Sequence, residues 1–100
     1  MIRTTLLLTS ATVLLGCSTE LVPGAERVRQ ISPGMTSSCT FIGPVTGAES
    51  MGMDVAGDVE SAYNKVRNAT FERGGNAFVV SSTSSSSDVT VVQADIYACP

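Results

Sequence analysis

The chain of 100 residues contains no histidine, and that absence removes most familiar chemistry at once. A serine nucleophile of the ordinary kind needs an imidazole to take its proton. Ordinary zinc sites draw on histidine or on sets of cysteine, and only three cysteines are present. Basic residues are scarce too: six against nine acids, for a net charge of −3. Counted from residue 17 the balance is five against nine, a net −4. An acidic domain repels phosphate backbones, which argues against nucleic-acid binding. It also has no polybasic patch to hold it on anionic lipid by charge. No cofactor is expected. Long apolar runs are missing as well. The longest, residues 6–15, is shorter than the roughly 20 residues that cross a bilayer, and it is broken by Thr9, Ser10 and Thr12.

What is present is ordered. Arg3 precedes that apolar run, and the run closes on Leu14-Leu15-Gly16-Cys17. A basic start, an apolar segment of about 7–15 residues and a small residue before the cut describe a secretory signal. The four closing residues resemble a lipobox, the site at which bacterial lipoproteins are diacylated on cysteine and cleaved. The resemblance implies cleavage between Gly16 and Cys17, with Cys17 carrying lipid. Ser18, not aspartate, follows. In enteric lipoproteins that favours export to the periplasmic face of the outer membrane. Two other readings stand beside this one: an uncleaved N-terminal helix, and a plain secretory signal with an incidental cysteine. A single acyl chain holds a protein weakly, whereas two or more hold it stably.

Setting Cys17 aside leaves Cys39 and Cys99. An even pair in an oxidising compartment reads as a disulfide. A pair of free thiols is the competing reading, though no Cys-x-x-Cys spacing supports a redox site. The expected organisation is a signal over residues 1–16, a lipidated N-terminus and flexible tether over 17–24, and one small domain over 25–100.

Residues 25–31 give a weak strand signal with Val28 inward. Residues 39–48 read as a second strand, with Cys39, Phe41, Gly43, Val45 and Gly47 on one face. Pro44 marks an edge or a bulge there. Val55, Val59, Ala62, Val66 and Ala69 recur at spacings of four and three, one stripe of an amphipathic helix. Asp54 or Asp58 can cap it. The acids Asp54, Asp58 and Glu60 lead and the bases Lys65, Arg67 and Arg73 follow, matching the helix dipole. Gly74-Gly75 stops it. Residues 76–83 hold a third strand around Ala77-Phe78-Val79-Val80. Residues 89–99 hold the last, with Thr90, Val92, Ala94, Ile96 and Ala98 on one face. The serine-rich residues 81–87 make a hairpin tip or a polar strand end. The predicted fold is α+β: a small two-layer sandwich in the order β-β-α-β-β, with one helix on a mainly antiparallel sheet.

No catalytic or metal constellation emerges. Asp54, Asp58 and Glu60 lack the spacing of a calcium loop. Gly74-Gly75-Asn76 follows no strand and precedes no Lys-Ser/Thr, so it is a helix stop and not a phosphate loop. Tyr63 and Tyr97 read as packing residues. Met51 and Met53 read as the closure of one end of the core.

Cys39-Thr40-Phe41-Ile42-Gly43-Pro44-Val45-Thr46-Gly47, Val66-Arg67-Asn68-Ala69, Gly74-Gly75-Asn76-Ala77 and Ala94-Asp95-Ile96-Tyr97-Ala98-Cys99-Pro100, behind a lipobox, together resemble the YjeI-like family of envelope lipoproteins, a domain of unknown function. A more distant likeness, in Asn76-Ala77-Phe78-Val79 and Ala98-Cys99, is to the stress-sensing outer-membrane lipoprotein RcsF. That protein has two disulfides and a long basic linker; this chain has one cysteine pair and almost no linker. The expectation is therefore a lipid-anchored envelope lipoprotein, not an enzyme. It would join the membrane through Cys17 and serve as a structural or protein-interaction module with an envelope protein as partner. The alternative is a stress-sensing or small-ligand-binding protein, the ligand lying on the face of Gly43 and Gly47.

Overall fold

The computed structural model describes residues 19–50 and 55–100. Gly16, Cys17, Met51, Met53 and Asp54, with the signal segment, lie outside the described residues. The elements are β1 (Arg29–Gln30), β2 (Thr40–Glu49), α1 (Val55–Glu72), β3 (Ala77–Ser85) and β4 (Thr90–Ala98), with short 3-10 turns at Ala25–Arg27 and Pro33–Met35. The sheet order is β1-β3-β4-β2. β4 runs antiparallel to both its neighbours, and only β1 pairs parallel, with β3. α1 therefore links two parallel strands, β2 and β3, that have β4 between them. A parallel pair needs such a crossover, and the helix supplies it. This is an α+β two-layer sandwich with a mainly antiparallel sheet.

α1 forms where the stripe was expected and buries Ala62 and Val66 fully against Val28, Phe78, Val92 and Ala94. Thr70 is also fully buried, and its hydroxyl donates to the Val66 carbonyl at 2.8 Å, so this buried hydroxyl has a partner. The helix stops as Gly74 takes φ +86°. The Gly75 N–H then donates back to Thr70 and the Gly74 N–H to Phe71. That pair of bonds is a Schellman stop, and a side chain at Gly74 would strain it.

The basic residues are used differently from the dipole expectation. No base stands in the last turn of α1. Arg67 instead lies over the Phe78 ring, 5.5 Å from its centroid. Lys65 and Arg73 reach sideways to β2, donating to the carbonyls of Ala48 at 2.6 Å and Pro44 at 2.8 Å. Of the acids, Asp58 sits buried in the first turn.

β2 corrects the single-face reading of its residues. Its register against β4 shifts between Phe41 and Gly43. One extra residue flips every side chain that follows. Phe41 therefore lies across from Tyr97 on the face away from α1, its ring edge-on at 5.6 Å, and is 56% exposed. Gly43, Val45 and Gly47 pair with Ile96, Ala94 and Val92, the strand face that carries the core. Pro44 sits on an edge strand beside this bulge, where a missing N–H is tolerated. The first strand shrinks to two residues, though Val28 is buried as expected. The serine-rich stretch is a polar strand end: β3 runs to Ser85, and residues 81–88 are all exposed.

Candidate functional site

The cysteines fall at opposite ends of neighbouring strands. Thr40 pairs with Ala98 in the β2–β4 ladder, so Cys39 and Cys99 are brought together one step beyond it. They form a disulfide with Cα atoms 4.2 Å apart, closing a loop across a sequence separation of 60. The bond packs with Tyr97 against Ile31, Ala77 and Val79 on the sheet face that α1 does not cover. Asn76 holds this corner. Its amide nitrogen donates to the Cys99 carbonyl and its amide oxygen accepts from the Cys99 N–H, both at 2.8 Å. The residue read from sequence as part of a helix stop thus also clamps the disulfide strand.

Beside the disulfide lies an open groove of about 430 Å³, lined by Arg27, Arg29, Ile31, Met35 and the two cysteines, among others. Its lining combines two arginines and other polar groups with Ile31, Met35 and the disulfide, and contains no carboxylate side chain to act as a base. Among the described residues no cluster of three or more Cys, Asp or Glu side chains could hold a metal ion.

The second feature was not anticipated. Residues 19–22 do not form a free tether; they lie along α1. The Thr19 N–H donates to Ser61 Oγ at 3.1 Å, its hydroxyl to Glu49 Oε1 at 3.3 Å, and its carbonyl accepts from Asn64 Nδ2 at 2.9 Å. Asn68 then spans the next step. Its Nδ2 donates to the Glu20 carbonyl at 2.8 Å and its Oδ1 accepts from the Val22 N–H at 2.9 Å. Ser61, Asn64 and Asn68 are three and four residues apart, so one face of the helix reads the backbone of the segment. Glu49, buried to 7% exposure, is also paired with Lys65 Nζ at 3.4 Å. At the end of the segment the Gly24 N–H donates to Glu26 Oε1 at 2.9 Å. The backbone amides of Glu26 itself and of Gly24 hold that carboxyl below the usual glutamate value. The sequence signal for this docking was two asparagines, poor helix formers, at i and i+4 in mid-helix.

This arrangement gives a direct expectation. Asn68→Ala removes both bonds to residues 20 and 22 and should cost about 1–2 kcal/mol. Hydrogen exchange at the Val22 amide should accelerate by roughly tenfold or more, while core amides of β4 change only by the global loss. An unchanged Val22 rate would show that Asn68 does not hold the segment.

On the expected ligand face, the space at Gly47 is occupied by the protein itself. A Cβ at Gly47 would overlap the Ala62 carbonyl oxygen and lie 3.1 Å from Val66 Cγ2. At Gly43 only the Arg73 guanidinium comes within 4 Å, at 3.8 Å. The glycine at position 47 admits the helix backbone, not a ligand.

No family model, curated protein or solved structure matches the chain. Among the described residues no helix is long and apolar enough to cross a membrane.

Proposed function

We propose that this is an envelope lipoprotein, cleaved after Gly16, acylated on Cys17 and displayed on the periplasmic face of the outer membrane, where it acts by contact with another envelope protein and not by catalysis. The observation that carries this reading is the order Arg3, apolar residues 6–15, Leu14-Leu15-Gly16-Cys17. The disulfide supports it, because such bonds persist in oxidising compartments. The resemblance to YjeI-like lipoproteins points the same way. The docked residues 19–22 suit an anchor, since they tie the chain just after Cys17 to the folded domain. The groove by the disulfide, with Arg27 and Arg29, is the surface offered to a partner.

The test is labelling of cells with a tritiated fatty acid, followed by membrane fractionation. The wild-type protein should carry label and sediment with the outer membrane. Cys17→Ser should lose all label and keep residues 1–16 by mass. An unlabelled wild type overturns the proposal.

A further inference from the structure

The two edges of the sheet are treated differently. β2 is closed to another strand by its own chemistry. Pro44 offers no N–H, and the carbonyls of Pro44 and Ala48 are already taken by Arg73 and Lys65. Charged side chains, proline and bulges are the usual guards of an edge. Along residues 79–85 of β3 the opposite edge carries neither a charged side chain nor a proline. β1 covers β3 only at Ala77 and Phe78, and the Ile31 N–H to Phe78 carbonyl bond at 2.9 Å is the last across it. From Val79 to Ser85 no backbone bond among the described residues reaches β3 from that side. The strand is bulged between Val80 and Ser82, then pairs regularly with β4 from Ser82 to Ser85.

We infer that this open edge of β3 pairs with the same edge of a second copy, antiparallel about a two-fold axis. The choice of occupant follows from charge. The chain carries a net −3, yet residues 77–87 contain no charged side chain and no proline. On an acidic surface this neutral edge is where two copies approach without setting like charges opposite each other. From Ser81 to Ser85 its side chains are serine and threonine, which pair well across a ladder through their hydroxyls. A two-fold axis makes the interface self-complementary and closed, so the product is a dimer and not a fibre. The inference rests on the strand edge alone and is independent of lipidation.

The experiment is sedimentation equilibrium of the full chain in density-matched nonionic detergent, over a wide range of protein concentration. The expected result is a monomer–dimer equilibrium. Thr83→Lys with Ser85→Lys, both at exposed positions, should raise its dissociation constant by about tenfold or more. A second chain with Thr83→Glu and Ser85→Glu should behave likewise. An equimolar mixture of the two should dimerise again, a recovery that misfolding could not produce. A monomer at every concentration overturns the inference. So does a wild-type dimer indifferent to these charges, which places the contact elsewhere.

Discussion

Replacing Cys39 and Cys99 together by serine is expected to lower the unfolding free energy by about 4 kcal/mol, as chain entropy predicts for a loop of this length. The disulfide joins residues 60 apart, from the start of β2 to just beyond the end of β4. Without it, both ends of the unfolded chain between them move freely, and folding must restrain them. Small domains have in all about 5–15 kcal/mol to lose. The core here is correspondingly thin: Phe78, Ile96, Val66 and Val92 are the large apolar side chains fully buried within it. The serine pair would also leave Ile31, Ala77 and Val79 with a poorer cover on the face without a helix. Urea unfolding followed by far-ultraviolet dichroism reads the change directly. Reduction of the wild type should reproduce most of it. A loss below about 1 kcal/mol would mean the unfolded chain is already constrained in another way.

Gly47→Ala is expected to cost about 3 kcal/mol, the upper part of the range for overfilled cores. The methyl group would meet backbone, the Ala62 carbonyl, and not the end of a pliant side chain. Relief requires α1 to lift from β2, which opens the contacts of Ala62 and Val66 with the sheet. The matching control is Gly34→Ala, where nothing lies within 4 Å of an added Cβ. That change should stay within about 0.5 kcal/mol. Thermal unfolding should separate the two variants by roughly 10 °C or more. Equal melting temperatures would show that the helix does not rest on Gly47.

The helix was the most legible element in the sequence, because its evidence is redundant. A stripe at spacings of four and three is closed by Gly74-Gly75, and both signals point to the same residues. The cysteine pair was legible by counting, and its partners proved to be ladder neighbours. β2 was misread because alternation assumes an unbroken pleat. Pro44 signalled an edge or a bulge, and both are there, but it did not fix the extra residue at Ile42 that moves Phe41 to the other face. β1 was overextended because two paired residues are too few to print a pattern. The docking of residues 19–22 was missed for a different reason. Ser61, Asn64 and Asn68 look like an ordinary solvated helix face until a backbone is laid along it. The groove at Arg27 and Arg29 depends on the pairing of β1 with β3, a long-range fact that no local window contains.

The bonds from α1 to residues 19, 20 and 22 also decide how the domain would bear load. Thr19 meets Ser61 and Asn64, and Val22 meets Asn68, so the segment and the helix run in the same direction. A pull at position 17 directed along the helix would strain these side-chain bonds together, in shear. The same pull directed away from the helix would open them one at a time, starting at Thr19. For a domain held by Cys17, only Ser18 stands in the sequence between the point of attachment and the first of those bonds. Such a protein would be kept near its support and would not range on a long leash.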